Sequence, residues 1–349
     1  MTPPPSPDDQ ILFLSKLQRL FAEGDFTATY KFALLIALAD LAVEQGRDDG
    51  DELQISNHSI AGKFIELYWQ QTAPYSTGRR GTAAGVLVQN FGAQAAIIKA
   101  IIRFRQHHPT ATVQSAQFSV GVGGLVPAVA RTVRSQPVNY LQNLGQTTDR
   151  FLYVENPGGV ELRPGVGYCL RRFQPLVQQL ARSHWAAHIK RNTLNASILG
   201  DADDLEAFLF ETSRDTLAVI ATGLRGLTNG RCFYCGSTVQ TADVDHFIPF
   251  SLYPRDLMHN FVLAHPSCNR SKSDRLAARP HLEHWLEFIS RRDDALREIG
   301  QAAGRIADPD ACRAVARWGY SNAVASSAQA WLRQREFDRI NDGYMDCFA

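Results

Sequence analysis

Hydrophobic positions recur with a helical period along most of this chain. Ile11, Leu12, Leu14, Leu17, Leu20 and Phe21 mark one helix, closed by Gly24 and Asp25. Thr27 is placed to cap a second, which runs to about Glu44 and is apolar nearly all round, so it should lie at the centre of an N-terminal core. A third begins near Ser56 or Ser59 and carries Ile60, Phe64, Ile65, Tyr68 and Trp69, an aromatic face suited to packing. Residues 71–84 break the pattern with Pro74 and with Arg79 and Arg80 between glycines. Two readings of that pair stay open: contact with a phosphate backbone, or a flexible surface turn. Helical patterning resumes over 93–107 and 126–133.

Residues 151–154 and 160–162 then flank Asn156-Pro-Gly-Gly159, the turn chemistry of a β-hairpin. The helix expected after it, 172–191, contains no acid, and helices, hairpin and basic helix together admit a winged-helix-like arrangement. Asp201-Ala-Asp-Asp204 marks the expected domain boundary, with Asp203 or Asp204 capping a helix through Phe208 and Phe210. Another helix, 217–227, leads to Gly230. Residues 243–247 and 261–263 read as strands, Ser267 or Cys268 as the start of a helix, and 281–296, 310–317 and 327–337 as further helices. The Pro-rich residues 1–10 read as a disordered tail.

With 349 residues, 45% of them apolar and 20% charged, the composition is that of a soluble globular protein with room for two domains. Net charge is only +1, but its distribution is uneven. Residues 1–66 carry 11 acidic and 5 basic side chains, residues 67–191 carry 3 and 14, and the remainder 21 and 17. A basic middle third of this kind is the footprint of a surface that tracks phosphates. Arg171, Arg172 and Arg182, on the acid-free helix, are the preferred duplex-backbone contacts. Six cysteines are too few for a disulfide scaffold. Four fall in one motif, Cys169 and Cys312 read as core and Cys347 as tail, so a reducing compartment is implied. The start has no basic or apolar leader, and the longest apolar run, 32–43, contains Asp40 and is too short for a bilayer. Cytoplasmic location and no membrane partner are expected.

The chemistry concentrates between Cys232 and Arg279. Cys232-Phe-Tyr-Cys235 and His265-Pro-Ser-Cys268 are two pairs, each spaced by two residues, which suits a closed tetrahedral zinc knuckle. Asp245-His246 and His259-Asn260 lie between them, and Asn269 follows directly. Oxygen and nitrogen donors of that kind suit a hard divalent ion and an activated water.

In order and spacing these residues resemble the HNH nuclease family, in the subset whose ββα-metal core is buttressed by a zinc knuckle. The resemblance implies that His246 is the general base, that Asp245 and Asn269 hold magnesium or manganese, and that Asn260 braces the loop and orients the histidine. His259 would be its solvent-facing neighbour. Lys272, with Arg270 and Arg275, would start a helix beside the metal and meet phosphate. Two positions depart from the commoner pattern: His265 stands where Cys is usual and Asn269 where His is frequent. Both remain adequate ligands. The expected fold is therefore mainly α with a small α+β C-terminal core. Residues 11–200 form a helical, basic, DNA- or partner-binding domain with one hairpin. Residues 201–349 form the nuclease domain around a core at 228–285. The function implied is a DNA endonuclease with structural zinc, and a large helical extension suggests restriction or phage defence with a protein partner. The rival reading is a zinc-stabilised DNA-binding module that does not cut.

Overall fold

The computed structural model describes residues 2–77, 83–199 and 205–349. Arg79, Arg80, Asp203 and Asp204 lie outside the described residues. The chain divides into two compact units, residues 1–211 and 212–349. Among the described residues no helix is long and apolar enough to cross a membrane.

Unit 1 opens with α1 (Pro7–Glu23). It starts four residues before the apolar spacing begins at Ile11, because Ser6 and Asp9 form a reciprocal capping box with Pro7 at the first helical position. The preceding residues are tied down as well. Thr2 N–H donates to Asp51 Oδ1 at 2.6 Å and Gly50 N–H to the Thr2 carbonyl at 2.9 Å, so residues 2–10 are not the disordered tail their composition implied.

Helix α2 (Tyr30–Gln45) is the axis of the unit, and every residue from Tyr30 to Val43 is buried. It starts later than Thr27 because Thr29 turns its hydroxyl onto the Tyr68 hydroxyl, at 2.6 Å, instead of capping. Its polar residues are met from other elements. Asp40 accepts from Gln174 and Gln178 at 3.1 and 2.6 Å, and Glu44 pairs with Lys63 at 2.6 Å. Strand β1 (Leu53–Ser56) follows, and Ser56 caps α3 (Asn57–Trp69). Helices α4 (Ala96–His107), α5 (Val113–Gln117) and α6 (Leu125–Val133) come next, with α6 packed along α3 and α4. A short pair, β2 (Asn143–Leu144) and β3 (Thr147–Thr148), precedes the hairpin β4 (Tyr153–Asn156) and β5 (Gly159–Leu162).

The hairpin is joined by a strand that its own sequence does not announce. β1 pairs antiparallel with β5, giving the order β1-β5-β4. Only Ile55 of β1 is buried, so no alternation marks it as a strand. The pairing needs glycine at 159, where a Cβ would sit 2.0 Å from the Ile55 carbonyl oxygen. Helices α7 (Val166–Arg172), α8 (Gln174–Arg191), α9 (Ala196–Leu199) and α10 (Leu205–Phe210) complete unit 1.

Two of the arginines expected on DNA belong to this packing. Arg171 is buried, and its Nη1 donates to the carbonyls of Ala42, Val43 and Gly46 at 3.0, 2.8 and 3.1 Å. Its Nε meets Asp48 at 2.8 Å. It caps the C-terminus of α2, where unpaired carbonyls and the helix dipole both favour a cation. Arg182 lays its guanidinium over Phe210, 4.9 Å from the ring centre. Of the three, only Arg172 is exposed.

Unit 2 begins with α11 (Arg214–Leu227) and centres on two strands, β6 (Asp243–His246) and β7 (Phe261–Ala264), followed by α12 (Pro266–Lys272). The helix expected over 281–296 divides at Arg292 into α13 (Arg279–Arg291) and α14 (Asp293–Ala303). After α15 (Pro309–Ala325), the helix expected over 327–337 is instead a hairpin, β8 (Gln329–Arg333) and β9 (Glu336–Arg339). Tertiary pairing overrides helical spacing there: Trp331 N–H donates to Leu276 O at 2.8 Å and Ala278 N–H to Trp331 O at 2.7 Å.

Arg171→Met should lower the stability of the full chain by about 3 kcal/mol, since it strips a charged donor from buried carbonyls. Denaturant titration of both proteins measures this; an unchanged midpoint would remove Arg171 from the packing.

Candidate functional site

The knuckle is assembled by two turns held to the sheet. Phe233 N–H donates to Leu263 O at 2.8 Å, pinning the first pair to β7, and Gly236, at φ +69°, closes the turn by donating to Cys232 O at 2.9 Å. The second pair sits at the head of α12, with His265 at the N-cap and Pro266 after it. One ligand atom from each of Cys232, Cys235, His265 and Cys268 can be chosen so that all lie within 4.8 Å of one another. A tetrahedral zinc with bonds of 2.3 Å to sulfur puts neighbouring ligands about 3.8 Å apart, so the set can close on that ion. His265 is already turned for it: Nδ1 lies 3.3 Å from Cys235 Sγ while Nε2 faces Thr238 O at 3.2 Å, the outer bond that fixes a ligating imidazole. Burial and the neighbouring sulfurs of Cys232 and Cys235 push the Cys268 thiol up to about 12. A divalent cation opposes that crowding by binding thiolates.

Along β6 side chains alternate. Asp243 and Asp245 meet side chains of α12, and His246 meets Asp256. Asp245, only 6% exposed, accepts at Oδ2 from the Tyr234 hydroxyl at 2.5 Å and from Lys272 Nζ at 3.1 Å. Lys272 is 0% exposed and also donates to the His246 carbonyl at 2.8 Å. Burial lowers the Lys272 ammonium and the Asp245 charge partly restores it. Lys272 is therefore an internal partner of Asp245 and not the phosphate contact its helical position implied.

Asn269 donates to Asp243 Oδ2 at 3.1 Å, one step along the same face. Asp245 Oδ1 and Asn269 Oδ1 accept from no described side chain, and carboxylate and amide oxygens are the ligand chemistry of a hard cation. Asn260, also buried, grips the chain as it leaves β6. Its Oδ1 accepts from Ile248 N–H at 2.7 Å and its Nδ2 donates to Ile248 O at 2.9 Å. Arg270 and Arg275 are exposed, Arg275 with its guanidinium 5.3 Å from the centre of the Phe337 ring. His259, expected to face solvent, is fully buried and bonded through Nε2 to Asp293 at 2.9 Å. Burial lowers its pKa.

His246 keeps 22% of its side chain exposed, with Phe250 and Phe261 at 5.2 and 4.7 Å between ring centres. Its Nε2 lies 2.7 Å from Asp256 Oδ1, and Thr212 donates to the other oxygen. Burial raises the Asp256 carboxyl, but the bond and charge of His246, with Thr212 and Arg305, outweigh it and hold the group below the ordinary carboxylate range. Sequence reasoning missed Asp256. It stands ten residues after the histidine in an irregular loop, and only the fold brings the two together.

Comparison with known families gives two matches. A model described as a domain of unknown function (DUF8808) matches residues 13–202, more than half of the chain. An HNH endonuclease model matches residues 232–275. No curated protein and no solved structure matches.

Cys232→Ser and Cys268→Ser should each lose bound zinc and lower the melting temperature of the chain, because structural zinc supplies folding free energy on the order of 10 kcal/mol in small modules. Metal analysis of the purified variants decides it. His265→Ala tests the nitrogen ligand: stoichiometric zinc at unchanged melting temperature would exclude His265.

Proposed function

We propose that this chain, which belongs to the DUF8808 family and carries an HNH endonuclease segment, is a cytoplasmic metal-dependent endonuclease that hydrolyses phosphodiester bonds in DNA. The observation that carries the reading is the paired imidazole. A partly exposed histidine with one ring nitrogen committed to a buried carboxylate is the arrangement of a general base.

With Nε2–H donating to Asp256, the neutral ring presents its lone pair at Nδ1. His246 takes a proton there from the attacking water, and Asp256 stabilises the imidazolium that forms. Asn260 fixes the loop that follows the histidine. Tyr234 and Lys272 hold Asp245 in place, so that Asp245 and Asn269 would bind magnesium or manganese through their free oxygens. When bound, that ion supplies positive charge to the phosphate and to the leaving oxygen. Zinc at Cys232, Cys235, His265 and Cys268 is structural, since four protein ligands leave no open position. Arg270 and Arg275, both exposed, are the phosphate contacts of this unit. Architecture, a large helical unit ahead of an HNH segment, carries the assignment to restriction or phage defence, with a protein partner from the same system.

Plasmid digestion in magnesium tests the reading. His246→Ala should lose roughly 10²–10⁴ in rate with zinc content and melting temperature unchanged. Cutting at the wild-type rate would overturn the assignment, and a wild-type chain that binds DNA but never cuts it would be a zinc-stabilised binding module. Asp256→Asn should cost about 10²-fold or more, because the amide permits the wrong tautomer.

The pH dependence follows from the depressed Asp256 pKa. Its contribution is complete above the unfolded carboxylate value of about 3.9 and is lost only as pH falls through the lower folded value. The Asp256 carboxylate therefore stays ionised from pH 5 to 7, and infrared difference spectra of wild type against Asp256→Asn should show no protonated-carboxyl band in that range. A wild-type carboxyl band that appears as pH falls from 7 to 5 would overturn this.

A further inference from the structure

Unit 1 separates its charges by sign. No acidic residue occurs from Tyr68 through Thr148. Within that stretch Lys99 and Arg103 on α4, and Arg131 and Arg134 on or just beyond α6, are exposed and pair with no carboxylate among the described residues. Exposed cations that no carboxylate pairs keep a positive potential around them.

Connectivity says what α6 can do. α2, β1 and α3 follow one another; α6 then precedes the hairpin β4–β5, and β1 pairs with β5 in the order β1-β5-β4. That is the connectivity of a winged helix in which α3 and α6 are the packed helix pair and α4 and α5 are an insertion between them. In helix-turn-helix proteins the second helix of the pair enters the major groove with its exposed face. On α6 and the residue that follows it, that face carries half-buried Pro127 and exposed Arg131 and Arg134, spaced by four and three residues. The hairpin is a poorer contact, since it exposes Glu155.

The loop ahead of α6 adds an apolar tip. Phe118 is 73% exposed, Val120 56%, and Val122 is fully exposed. The loop is well braced. The Ser119 carbonyl accepts from Val126 N–H and its hydroxyl oxygen from Leu125 N–H, both at 3.2 Å, and Gly124 N–H donates to Gly121 O at 2.8 Å. A Cβ at Gly124 would lie 2.3 Å from Ser119 O, so the turn closes only with glycine. The fold thus holds three apolar side chains out at the head of the helix that carries Arg131. DNA-binding proteins use apolar wedges beside cations in this way.

We propose that α6 and the glycine-closed loop before it are the surface through which unit 1 holds duplex DNA. Lys99, Arg103, Arg131 and Arg134 meet phosphates, and Phe118 and Val122 rest against the groove. The proposal deepens the nuclease reading and rests on it for the identity of the polyanion. A protein partner could use the same apolar tip, but the exposed cations of α4 and α6, none paired with a carboxylate among the described residues, favour a phosphate backbone.

The test uses the full chain carrying His246→Ala, so that a labelled duplex stays intact, with binding followed by fluorescence anisotropy over a salt series. Adding Arg131→Glu and Arg134→Glu should weaken binding about tenfold or more and flatten the slope of log affinity against log salt by about two units. Phe118→Ser with Val122→Ser should weaken binding and leave the slope unchanged. If charge reversal lowers the melting temperature, Arg131→Gln with Arg134→Gln gives the same reading without repulsion. Plasmid cutting by the same variants with His246 intact, at saturating protein, separates the two claims. Cutting that persists while affinity and slope stay at wild-type values would overturn the surface, leave the nuclease reading standing and assign the tip to a protein partner. Absence of both binding and cutting in the wild type would overturn both.

Discussion

A carboxylate removed from water must be paired or it will not stay charged, and in unit 2 that requirement falls on Asp245. Asp245 and its two partners come from three places. Tyr234 stands between the two cysteines of the first knuckle turn, Lys272 closes α12, and Asp245 itself belongs to β6. One buried cluster therefore joins the knuckle, the sheet and the helix. Breaking such a pair by deleting one member leaves a buried charge uncompensated, which typically costs about 3–5 kcal/mol. Lys272 also donates to the carbonyl of His246, so the cluster positions the backbone of the neighbouring residue as well.

The division of labour along β6 follows from the pleat. Successive side chains alternate along the strand, so Asp245 and His246 meet different neighbours. Asp245 faces the closed side, among a phenol and an ammonium, with the Asn269 helix beyond it. His246 faces a more open side, between two phenylalanine rings and against Asp256. Each side chain meets its needs locally, and a shift of one residue in the pairing of β6 with β7 would exchange the two environments.

What could be read in the sequence was whatever depended on spacing or local chemistry. The knuckle pairs, the two central strands and the Asn-Pro-Gly-Gly hairpin are short-range patterns, and the structure contains the elements they announce. Losses came where distant contacts decide. Thr2 is bonded to Asp51 and Gly50 in a stretch whose proline content suggested disorder. β8 and β9 replace a helix because Trp331 bonds to residues more than fifty positions away. The largest misreading concerns cations. Arg171 and Lys272 sit in basic segments, yet each is spent inside the protein, one on the carbonyl end of α2 and the other on Asp245. Charge counted along a chain does not separate a surface cation from a buried cap, whereas burial and partners do. Asp256 is the converse case, an unremarkable loop acid that only the fold sets against a histidine.

Helix α12 is fastened on two sides by chain that lies far from it in sequence. Upstream, Cys232 approaches its head, with His265 N–H donating to Cys232 Sγ at 3.3 Å; downstream, the Trp331 indole donates to Ser271 Oγ at 2.9 Å. A chain emerging from the ribosome releases the second of these fastenings only 60 residues after Ser271. Contacts of such long sequence separation form late, after the loop-closure entropy has been met. The face that carries Asp245 and Asn269 is thus completed only after Trp331 has been made, and a truncated product ending before Trp331 lacks one of its two anchors.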